Sequence, residues 1–245
     1  MPKKPYYLPE ILAVAVSLLL LNVWYLASLS INEKLIPKSY ELILNAIILF
    51  AATFFGSYVA FKLNEKKELK KLKLKQKEAL DMSLFVLIRL IQGFQYIEEQ
   101  LDQYPTIDEK VFNMASFEVT DYQHLKFNVN ELSFLFEHDP QILLDLVTEK
   151  DRFDQLLRAL DARHEFHLNY VVKKLIDSGF YNEVVDLDKV KSILGESTYN
   201  DAYTFVKNID EHTKAIAESL PKSYSRLSRL ARKLYPETPF LQLNV

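Results

Sequence analysis

Two long apolar runs open the chain, and the remainder repeats its apolar residues at helical spacing. Residues 11–31 are 21 positions without a formal charge, and residues 42–61 are 20 more. About 20 predominantly apolar residues carry a helix across a hydrocarbon core, so both runs qualify as spans. Glu10 and Pro9 precede the first, Asn32, Glu33 and Lys34 follow it, and Lys62 ends the second. The connector between them has ten residues, which predicts an antiparallel hairpin over 1–61. Burial in a globular core accounts poorly for two such runs in tandem. A cleaved leader fits poorly too, because the first run is long and the residues after Ala27 make a weak cleavage site.

Beyond Lys62 the pattern predicts helices only. Leu69, Leu72, Leu80, Leu84, Leu87, Leu90 (or Ile91), Phe94, Ile97 and Leu101 recur at helical spacing as far as Pro105. This predicts a helical stalk over 62–105 that continues the second span. The rest, 106–245, reads as an all-α cytoplasmic bundle. Its expected helices are 122–137, 140–178, 187–194, 198–220 and 221–234. Asp139 is placed as an N-cap with Pro140 at the first helical position, and Gly179 and Gly195 act as terminators. The 140–178 helix carries a seam of Leu146, Phe153, Leu157, Leu160, His164, Leu168, Val171 and Leu175, near a seven-residue repeat. Pro236 and Pro239 are expected to keep the tail extended.

Charge then orients the hairpin. Lys62, Lys66, Lys67, Lys70, Lys71, Lys73, Lys75 and Lys77 follow the second span, against Glu65, Glu68 and Glu78. Positive charge beside a span stays in the cytoplasm, which predicts a multi-pass membrane protein with both termini inside. The same lysines can hold anionic lipid headgroups, each contributing on the order of 1 kcal/mol. No Asp, Glu, Lys, Arg or His falls within either span, so no ion or proton path is marked. Ala52, Gly56 and Ala60, spaced by four, give the second span a small-residue face for close helix approach. Asn22 and Asn45 can hydrogen-bond between helices. These five residues are the expected contacts of a membrane homo-oligomer, with packing inside one hairpin as the plainer alternative.

Composition narrows the chemistry. The chain of 245 residues has no cysteine and four glycines, Gly56, Gly93, Gly179 and Gly195, none near another. It therefore has no thiolate chemistry and no glycine-rich phosphate cradle. One cluster invites a metal: Asp161, His164 and His167 stand three residues apart on a helix. It matches neither the zinc-protease nor the di-iron pattern, and His164 falls on the apolar seam, which favours a packed histidine. Neither a catalytic site nor a cofactor is expected. Residues 80–245 hold 18 Lys and Arg against 27 Asp and Glu, an excess of nine acids. Within this acidic body, 222–235 carries Lys222, Arg226, Arg229, Arg232 and Lys233 and no acid. That helix either packs on the acidic body through its own charge or contacts phosphate, from nucleic acid or lipid.

In layout the chain resembles the small two-span membrane effectors of bacterial anti-phage defence systems, including those encoded beside retrons. The resemblance rests on the hairpin 11–61, the helical segments led by Asp139-Pro140 and the ending Lys233-Leu234-Tyr235-Pro236. It implies an effector held silent by a cytosolic protein or nucleoprotein partner, and released to damage the inner membrane. Read from its residues alone, the chain equally suits a membrane-tethered adaptor whose bundle docks a partner.

Overall fold

The computed structural model describes residues 8–33, 37, 40–115, 122, 124–180 and 187–243. Their regular structure is all helix, with no strand among the described residues. The chain divides into two compact units, 1–74 and 75–245. In the first, α1 (Leu8–Asn32) and the start of α2 (Glu41–Leu101) are each long and apolar enough to cross a membrane. None of the residues in either apolar window is buried within the protein. An apolar helix with no protein cover needs an apolar solvent, which a bilayer supplies.

Helix α2 is continuous for 61 residues. It ends at Leu101, ahead of Tyr104-Pro105, because the residue before a proline is pushed out of helical geometry. From Ala79 onward its apolar stripe is covered: Leu80, Leu84, Leu87 and Leu90 have no exposed surface. The far part of the expected stalk is thus the central core helix of the second unit.

The unit's other helices are α3 (Ile107–Phe112), α4 (Pro140–Phe166), α5 (Lys173–Asp177), α6 (Leu187–Leu194) and α7 (Glu196–Leu234). The main core joins α2 to Leu146, Phe153, Leu156 and Leu160 of α4 and to Ile216, Leu220, Leu227 and Ala231 of α7. A smaller core gathers Val111, Val171, Val190, Leu194, Ala202 and Val206.

Several expectations need correction. A 122–137 helix does not form: the described part is irregular up to one 3₁₀ turn, Ser133–Glu137. Asn128 and Asn130 favour turns, and the Asn128 side chain accepts from the Glu131 amide. Leu125, Leu132 and Leu135 are buried nonetheless, so the helix-like spacing reflected burial from a folded-back chain. The 140–178 segment is not one α-helix either. A π-helical turn, His167–Val172, separates α4 from α5 and shifts the register of the seam. Leu168 is therefore exposed while Val171 is buried.

Asp139 makes no capping hydrogen bond, although Pro140 does start the helix. Helices 198–220 and 221–234 are one, with Pro221 inside it. Pro221 is exposed, as is Ala217, whose carbonyl loses its partner. The break costs about 3 kcal/mol. Burial of Ile216, Leu220 and Leu227, each contributing about 1.5–3 kcal/mol, outweighs it. Finally, the tail is not simply extended. It turns after Tyr235, and Phe240 is buried in the main core.

Candidate functional site

In the first unit, α1 and α2 border an apolar groove of about 490 Å³. Val16, Leu20 and Trp24 line one wall, and Ala52, Phe55 and Gly56 the other. A side chain added at Gly56 would meet nothing within 4 Å. The small residues thus leave room that α1 does not fill. Of the expected oligomer contacts, Ala52 and Gly56 belong to this groove, while Ala60 and Asn45 are exposed outside it. Asn22 donates to the Leu18 carbonyl of its own helix at 2.9 Å, and Thr53 does the same toward Leu49. Hydrogen bonds to the helix's own backbone keep these polar groups satisfied in an apolar solvent.

The lysines that follow the second span are exposed, apart from half-buried Lys77. Lys62 pairs with Glu65 at 2.7 Å, and Lys77 lies 5.3 Å above the Tyr235 ring. Exposed lysines on consecutive turns present charge all round the helix.

In the second unit the candidate metal residues do not form a metal-binding group among the described residues. Asp161 is exposed, His164 and His167 are half-buried, and no group of three or more His, Asp or Glu suited to a metal forms among the described residues. The residue between them is the informative one. Arg163 is 3% exposed and donates to the carbonyls of Lys110 (2.9 Å), Val111 (2.9 Å) and Met114 (2.6 Å). The Lys110 and Val111 carbonyls are orphans in the last turn of α3, where partial negative charge collects, and Met114 lies two residues past its end. Burial lowers the Arg163 pKa to about 10. Sequence reading passed over this arginine, because nothing local announces which carbonyls will reach it.

A second buried charge ties α4 to α7. Glu149 accepts from Arg152 at 3.0 Å and from the Ser219 hydroxyl at 2.8 Å, while burial raises its pKa above the ordinary carboxylate value.

The basic helix also divides. Arg226 donates from Nε and Nη2 to both oxygens of Asp139, at 2.8 and 2.7 Å, and from Nη1 to Asp145 at 2.6 Å. This is the charge complement expected from the acidic body, and it explains why Asp139 does not cap α4. Its fork geometry requires arginine rather than lysine. Lys222 and Lys233 are exposed on the surface. Arg229 and Arg232 line a cavity of about 370 Å³ beside the returning tail.

Fold and site together define an all-helical protein with two helices suited to crossing a membrane and a helical second unit held by buried charges. No protein-family model, curated protein or solved structure matches the chain.

Proposed function

We propose that the chain is a membrane-anchored effector of a bacterial defence system. A cytosolic protein or nucleoprotein partner holds it inactive, and it disrupts the inner membrane as a homo-oligomer when released. Both termini lie in the cytoplasm, oriented by the lysines from Lys62 to Lys77, which also hold anionic lipid. One observation carries this reading: α2 is a single helix from Glu41 to Leu101, holding both Gly56 of the apolar groove and the core residues Leu80, Leu84 and Leu87. A partner that engages the body therefore acts on the same hydrogen-bonded element that bears the span. One hairpin cannot enclose a conduit, so several must meet, and the open groove at Ala52 and Gly56 is where another helix can approach closely.

The test is dye entry into cells expressing the protein without its partner, wild type against Gly56→Leu, at matched membrane levels. Leu fills the groove and is at least as favourable in lipid. The wild type should admit dye and the variant should admit far less. A harmless wild type favours the membrane-tethered adaptor. Equal entry retains the effector and removes this contact.

A further inference from the structure

One turn beyond Arg226, α7 presents two guanidinium groups with no neutralising partner among the described residues. Arg229 and Arg232 make no ion pair or hydrogen bond among the described residues. Both border the 370 Å³ cavity, together with Ser225, Ser228 and Gln242. Positions 225, 228, 229 and 232 share one helix face, so arginines and hydroxyls converge on the same space.

Ser228 adds a donor to this cavity. The residue is 7% exposed, its hydroxyl makes no hydrogen bond among the described residues, and the oxygen keeps solvent contact where the residue lines the space. It is therefore open to bond a molecule held there. The far wall is fixed, because the Leu243 amide donates to the Tyr224 hydroxyl at 2.7 Å and Phe240 is anchored in the core. No carboxylate lines the space among the described residues. The helix dipole favours cations in the last turn of α7. It gives no reason for hydroxyls and a carboxamide to surround them.

We propose that this cavity binds a phosphate group, as inorganic phosphate or a phosphate monoester. Paired guanidinium groups match phosphate oxygens with parallel N–H···O bonds, and Ser225, Ser228 and Gln242 supply neutral donors. The volume lies at the lower end of small-molecule sites, which suits a phosphate bearing a small substituent. A free ion, a nucleotide and a lipid headgroup all carry this chemistry.

The full-length protein in nonionic detergent is titrated calorimetrically with inorganic phosphate, adenosine monophosphate and glycerol 3-phosphate, at constant ionic strength against chloride. At least one should bind saturably, with affinity falling at least about tenfold in the Arg229→Gln/Arg232→Gln double variant. Both arginines are exposed, so the variant should melt as the wild type does. Tightest binding of the nucleotide identifies a soluble nucleotide as the source, and tightest binding of glycerol 3-phosphate a lipid headgroup. Equal affinities identify the free ion. Absence of saturable binding by all three, or binding that the double variant retains, overturns the proposal.

Discussion

Arg163 shows how much one side chain can carry. Its charge is buried, its partners are three carbonyls, and no carboxylate forms an ion pair with it among the described residues. Removing it strands those carbonyls at the end of α3. Arg163→Met should therefore destabilise the protein by about 2–4 kcal/mol, read by thermal or denaturant unfolding. Arg163→Lys should recover little, because a single ammonium cannot span acceptors that the guanidinium reaches with two nitrogens. One helical step on, His167 is held down to a pKa of about 4, first by burial and then by the charges of Arg163 and His164, against a backbone hydrogen bond at Val111. The folded state thus binds fewer protons than the unfolded one between the ordinary histidine value of 6.5 and about 4. Stability present above that range is lost as pH falls through it. The drop in melting temperature from pH 7 to pH 5 should accordingly be smaller in His167→Gln than in wild type. Equal drops would remove His167 as a source of acid sensitivity.

At the scale of elements, α2 carries a glycine whose reason is tertiary. A methyl group at Gly93 would sit 2.6 Å from Cζ and Oη of Tyr122. That ring is buried and packs edge-on against Phe153 at 5.1 Å, so it has little room to withdraw. Alanine improves helix propensity by about 1 kcal/mol, but overpacking costs about 1–3 kcal/mol. We expect Gly93→Ala to be destabilising on balance. In a double-mutant cycle, Gly93→Ala with Tyr122→Ala should cost less than the sum of the single changes, because the first loses its clash. Additive costs would show that the ring gives way freely. Local signals named the start of α4 at Pro140 and the stops at Gly179 and Gly195, both of which have positive φ. They misjudged Pro221, where local geometry argues for a break and a continuous buried stripe holds the helix together.

For the whole molecule, the proposed orientation has its own test. A reporter fused after Val245 should read cytoplasmic, and a tag inserted between Asn32 and Lys38 should be reachable from outside the cell. Changing the eight lysines from Lys62 to Lys77 to glutamine should weaken that orientation, since positive charge near a span resists translocation. A C-terminal reporter on the far side would overturn the proposed topology, and an unreachable tag would argue against the hairpin.

The sequence by itself determined the all-helical class, the two apolar helices and the stripe along α2. These follow from run length and periodicity, which a chain carries without reference to its neighbours. It also marked the basic stretch of α7 as a partner for either the acidic body or phosphate, since the sign of charge is a property of composition. Tertiary structure alone decided the rest. It placed Arg226 on Asp139 and Asp145, carried the chain through Pro221, and buried Leu125, Leu132 and Leu135 without a helix. It also turned a search for metal ligands around His164 into a carbonyl-binding arginine at 163. Each outcome depends on which distant backbone or carboxylate arrives within hydrogen-bond reach. Packing settles that through contacts between residues tens of positions apart, and local patterns hold no record of them.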